Sequence, residues 1–134
     1  MPAPPSFDYA AIRIVPRVER EEFLNAGVVL FCPEQKFLGV RTRLEEERLR
    51  ALWPSVDLDE IRRHVEAFVR VAEGSPDAGP IARLSQRERF HWLVAPRSTI
   101  IQVSAVHSGL CEQPLEELER LFEKLVGISG DHSS

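Results

Sequence analysis

The residue types that could carry chemistry crowd into one stretch. Residues 95–110, reading APRSTIIQVSAVHSGL, bring Arg97, Ser98, Thr99, Gln102 and His107 together, a combination found nowhere else in the chain. Ser98 and His107 are the types of a nucleophile and its base, a pairing that needs heavy atoms within roughly 2.6–3.2 Å. If 98–104 is extended at ~3.3 Å per residue, the chain has travelled on the order of 20 Å before the His107 loop begins. The few loop residues that follow do not fold back over that distance, so the dyad is not expected within one subunit.

Arg97 offers a planar fork of donors suited to a phosphate or carboxylate. The competing reading is an Arg at a turn, solvated or paired with a nearby Glu. His107 lies between small residues ahead of the last helix, whose free N-terminal amides favour an anion. It could donate or carry a proton there, or bond a backbone carbonyl and lock its loop. By the same reach argument Arg97 and His107 fall toward opposite ends of a strand. Glu22 and Asn25 share a face if 19–25 is helical. Equally, Asn25 before Ala26 and Gly27 forms a turn, and Glu22 answers Arg13 or Arg97 as an ion pair.

Other chemistries are disfavoured by composition. The four His are scattered, without Cys or carboxylates at ligand spacing, so no metal site is expected. The seven Gly are dispersed and build no phosphate-binding loop, and no cofactor is implied. Cys32 and Cys111, with no secretory signal ahead of them, read as reduced thiols in a cytoplasm. A net charge of −4 and a pI near 5.6 oppose general attraction to nucleic acid, leaving only a local patch such as Arg83, Arg87 and Arg89. No apolar run approaches the ~20 residues of a membrane span, so a cytoplasmic protein is the expectation.

The elements that must position these residues follow from periodicity. A chain of 134 residues, 43% hydrophobic, suits one domain with its own core. The expected division is a disordered tail over 1–7, a domain over 8–127 and a disordered tail over 128–134. Residues 9–15 alternate, with Ala10, Ile12 and Ile14 on one face, and predict a half-buried strand. Residues 28–31, apolar on both faces, predict an inner strand, joined through a turn at 32–36 to a strand at 37–41. Thr42 and Glu45 fit a capping box for a helix over 43–53. Asp57 caps a second helix, whose stripe is Leu58, Ile61, Val65, Phe68, Val69 and Ala72.

Residues 74–80 read as a loop and 85–88 as one capped turn. Residues 90–94 and 98–103 read as a second hairpin, with Trp92 in the core and Trp53 the more exposed indole. A last helix starts near Pro114, carries Leu115, Leu118, Leu121, Phe122, Leu125 and Val126, and stops at Gly127. The sum is an α+β domain: a mainly antiparallel sheet of about five strands, from two hairpins plus an N-terminal strand, packed by three helices.

Four segments also carry a family resemblance: YAAIRIVP at 9–16, REEFLNAGVVL at 20–30, RFHWLVAPRST at 89–99 and VHSGL at 106–110. Together they resemble the bacterial family DUF3037, in register from about Tyr9 to Val126. The resemblance implies no activity, since the family has none assigned. It implies a candidate functional surface of Glu22, Asn25, Arg97, Ser98, Thr99, His107 and Gly109. Members are often encoded beside a kinase-like protein resembling the HipA kinases, which implies a protein partner of that kind. Cys111, Glu112 and Gln113 depart from the family pattern, where a Thr and two acidic residues are expected. The resulting expectation is a non-catalytic interaction or regulatory module, with homo-oligomers open. The alternative is a small enzyme or binding protein for a phosphate-bearing or anionic substrate, with His107 as acid/base and Arg97 as clamp.

Overall fold

Two strands form the centre of the core because each sends buried apolar side chains to both faces of the sheet. In the computed structural model, which describes residues 3–16, 22–97 and 99–127, β1 (Ser6–Ile14) and β2 (Leu24–Cys32) pair antiparallel at the centre of the sheet. β3 (Phe37–Thr42) pairs with β2 on one side. β4 (Ile101–Val103) and β5 (His107–Leu110) share the other side of β1, β4 against Ile12–Ile14 and β5 against Ser6–Tyr9. The remaining elements are the helices α1 (Glu46–Leu52), α2 (Leu58–Glu73), α3 (Gln86–Val94) and α4 (Pro114–Leu125). The fold is α+β: among the described residues, a five-stranded antiparallel sheet and four α-helices form a single domain.

Alternation divides the side chains between two layers. Ala10, Ile12 and Ile14 of β1 and Val29 and Phe31 of β2 face α2 and α3, meeting Ile61, Phe68, Phe90 and Leu93. Phe7 of β1 and Val28, Leu30 and Cys32 of β2 face the other way and are covered by Leu118, Leu121 and Phe122 of α4. Burying each such large side chain stabilises the fold by about 1.5–3 kcal/mol.

The first hairpin, α2 and α4 follow the sequence expectations. Asp57 accepts from the Glu60 amide at 3.1 Å to start α2, and Gly74 ends it in the left-handed conformation. Elsewhere tertiary pairing overrides local signals. Residues 90–94 are helical: Ser85 and Glu88 form a complete capping box, and the helix it launches runs on to Val94, burying Phe90 and Leu93 three apart. There is accordingly no second hairpin, and the helix count is four rather than three. Trp92 falls on the outer side, 40% exposed rather than in the core, and Trp53, expected to be the more exposed indole, is the more buried of the two and packs against the core. The fifth strand is instead β5, in the segment read as a loop.

The capping box at Thr42 does not form, because Thr42 pairs with Gly27 and the Arg43 amide donates to Ala26 O at 2.8 Å. The first helix therefore begins at Glu46. Nor do residues 25–27 turn the chain. They lie within β2 at a bulge, where Gly27 faces Ile12, Asn25 faces Arg13, and Ala26 is the extra residue. Gly27 serves close approach: a Cβ there would run into the Arg41 carbonyl across the ladder. At the N-terminus β1 starts at Ser6 and Phe7 is buried, within the segment read as a tail over 1–7. The expected tail over 128–134 and part of the segment 19–25 lie outside the described residues.

Candidate functional site

The residues singled out by type divide among separate places. Arg97 follows α3; its guanidinium donates to Trp92 O and lies over the Trp92 ring at 4.7 Å. Its partial burial lowers its pKa from the usual arginine range. Thr99 Oγ1 donates to Ile101 O at 2.8 Å, and Gln102 Nε2 donates to Thr99 O at 3.1 Å. These bonds hold the approach to β4. Ser98 lies outside the described residues.

His107 stands at the other end of β1. Its ring packs on Tyr9, its cross-strand partner, with centroids 5.4 Å apart. Gly109 is the partner of Phe7, and a Cβ at Gly109 would meet the Phe7 ring at 2.8 Å, so the ring lies over the missing side chain. Because Ile101 pairs with Ile14 and His107 with Tyr9, the start of β4, which follows Arg97, and His107 are separated by about 17 Å along β1. Asn25 serves a third place, donating through Nδ2 to Leu125 O at 3.0 Å near the end of α4.

Glu22 is the exception, since it belongs to a concave site. Its Oε1 accepts from the Trp53 indole Nε1 at 3.2 Å. Both line a cleft of about 420 Å³ with Pro16, Leu52, Pro54, Val56, Asp57, Glu60 and Ile100. Four segments converge to make it: the end of β1, the lead-in to β2, the break between α1 and α2, and the approach to β4. Leu52 is half exposed on its rim. The cleft therefore brings an indole and an apolar rim together with the carboxylates of Asp57 and Glu60, an arrangement suited to a cationic group carried on an apolar stem.

Of these residues the sequence reading had selected Glu22 alone. Trp53 was legible as a partly exposed indole, but Asp57 and Glu60 read only as capping residues of α2. Nothing in the sequence links positions 22 and 53. Ser104 was also missed: its Oγ accepts from the Ala11 amide at 2.9 Å and its amide donates to Ala11 O, closing the sheet where β4 gives way to β5.

Both thiols are withdrawn from solvent. Cys32 and Cys111 are both buried in the α4 layer, and burial, followed by the neighbouring Cys32, pushes the Cys111 thiol upward. Among the described residues, no group of three or more His, Cys, Asp or Glu is arranged to hold a metal ion. No described helix is long and apolar enough to cross a membrane.

Comparison with known proteins gives one match. The model of a family described as a protein of unknown function, DUF3037, matches residues 9–126. No curated protein and no solved structure matches the chain.

Proposed function

Taking as premise that the chain belongs to the DUF3037 family, we propose that it is a non-catalytic, cytoplasmic interaction module that docks a protein partner in the Glu22–Trp53 cleft. The observation that carries this reading is the composition of the cleft: the carboxylates of Asp57 and Glu60 beside an indole and a half-exposed Leu52. A basic side chain on an extended or helical partner segment answers all of these features, its charge toward the carboxylates and its methylenes against Trp53 and Leu52. Complementary charge would also speed encounter.

The partner that the family resemblance implies is a HipA-like kinase, bound through a Lys- or Arg-bearing segment. Arg97, Thr99, Asn25 and Gly109 are then read as scaffold residues, consistent with the backbone and packing roles they fill. The test is co-purification of the tagged chain from its own cells, followed by affinity measurement against the captured partner. Glu60→Lys and Leu52→Lys should each weaken binding at least about tenfold, a change of ~1.4 kcal/mol, and raised salt should weaken the unaltered pair. If nothing co-purifies, the module reading fails. If a partner binds equally well to both variants, the cleft is wrong.

A further inference from the structure

We propose that β5 is an interface between two copies of this chain, pairing antiparallel with itself about a two-fold axis at Ser108 and joining two sheets into one. The inference is independent of the cleft, which sits at the other end of β1. It begins with backbone groups. Cys111 donates its amide to Pro5 O, which places residue 111 in a hydrogen-bonded pair with β1. Alternation then turns the amides and carbonyls of Ser108 and Leu110 away from β1. Among the described residues no strand lies beyond β5 to receive them.

An exposed edge is normally protected by charge, proline or a covering element. β5 reads HSGL, bears no Lys, Arg, Asp or Glu, and is exposed at three of its four positions. Val106 and Leu110 flank Ser108 symmetrically and are 43% and 61% exposed. Such a pattern is self-complementary. In a strand pair centred on Ser108, the two Ser108 residues exchange their backbone bonds, and each Leu110 lies opposite the other copy's Val106. Both apolar side chains are thereby covered, and the outward amides are satisfied.

Sterics and charge agree with this occupant. His107 falls opposite Gly109 of the second copy, where no side chain competes with its packing on Tyr9. Asp8, whose Oδ1 accepts from Ser108 Oγ at 2.6 Å, is one strand removed from the edge. The two Asp8 carboxylates would therefore lie about three strand spacings apart, ~14 Å, beyond the ~8–10 Å screening length at ordinary salt. A pairing this short buries less than the ~1,200 Å² of a typical stable interface, so the dimer forms at high concentration rather than at trace levels.

Sedimentation equilibrium of the full chain between about 10 and 500 µM should show a monomer–dimer transition. Leu110→Lys, which sets an ammonium group against Val106 of the other copy, should weaken dimerisation at least about tenfold while leaving the monomer's circular dichroism unchanged. Ser108→Cys should give a covalent dimer on mild oxidation by an added disulfide reagent, whereas Glu66→Cys, exposed on α2, should not. A chain that stays monomeric over the whole range overturns the proposal. So does a dimer that survives Leu110→Lys and is not trapped through Ser108→Cys, which would place the interface elsewhere. Capture of a partner through the cleft is unaffected by either result.

Discussion

The two outer edges of the sheet solve the same problem by different means. β3 carries Arg41, which pairs with Glu119 of α4 at 3.1 Å and lies over the Phe122 ring, and it is flanked by α2 on one face and α4 on the other. β5 has its contacts with β1, an aromatic pair on one face in Phe7 and Tyr9, and no charged residue of its own. Each edge contains a glycine covered by a phenylalanine, Gly39 by Phe37 within the same strand and Gly109 by Phe7 across the ladder. The difference teaches that an edge is insulated by what the neighbouring layers supply. Helices reach β3 because α4 crosses β2 and β3; β5 lies outside that cover.

Four measurements would break or sharpen the comparison. The largest effect is expected at Phe7, 4% exposed and shared between the α4 layer and the β5 edge. Phe7→Ala should cost about 3–5 kcal/mol in urea unfolding. Phe37→Ala, at a half-buried position, should cost clearly less; equal values would mean that the two edges are supported alike.

Next come the glycines. Gly27→Ala forces a methyl against the Arg41 carbonyl and the Thr42 side chain, backbone that cannot swing aside, and should cost about 1–3 kcal/mol. Gly109→Ala should fall in the same range of about 1–3 kcal/mol and exceed Gly39→Ala, because the buried Phe7 ring has less room to move than the half-exposed Phe37 ring.

A smaller effect belongs to the helices that shield the sheet. Asp57→Ala removes the side-chain acceptor at the start of α2 and should cost about 1 kcal/mol. Glu45→Ala, at a start with no side-chain cap, should be near neutral.

The smallest concerns the Arg62–Glu46 contact, 2.7 Å, which ties α1 to α2. The hydrogen bond from Arg62 holds the Glu46 carboxyl below the usual range. A depressed carboxylate contributes stability above its unfolded pKa and loses it as pH falls through its folded pKa, so the contribution should disappear on acidification below the ordinary glutamate range. The pair is exposed, and salt should weaken it. Titration followed by NMR should place Glu46 low in the wild type and back in the usual range in Arg62→Gln.

Much of the framework was legible because it rests on repeated apolar positions. The stripes of α2 and α4 and the alternation in β1 each involve several residues that agree. The errors fall where a signal was short. Residues 90–94 fit a strand over five positions, and only the continuation from the Ser85 cap makes them a helix. Residues 107–110 contain a glycine and small polar groups that read as a loop, yet β1 offers them a ladder and Phe7 fills the space over Gly109. The site was less legible still: Glu22 could be selected by type, but its indole partner lies 31 residues on, at the end of α1, and its cleft is gathered from four separate segments.

By itself the sequence determined the α+β class, the first hairpin, the two long amphipathic helices and the family, because periodicity and local motifs are properties of neighbours along the chain. Only the tertiary structure decided that Arg97 and His107 stand at different ends of β1, that Glu22 meets Trp53, and that, among the described residues, one edge of the sheet is covered by helices while the other has no strand or helix beyond it. Those outcomes depend on pairing register and on which layer covers which strand, and both are fixed by contacts between residues far apart in sequence.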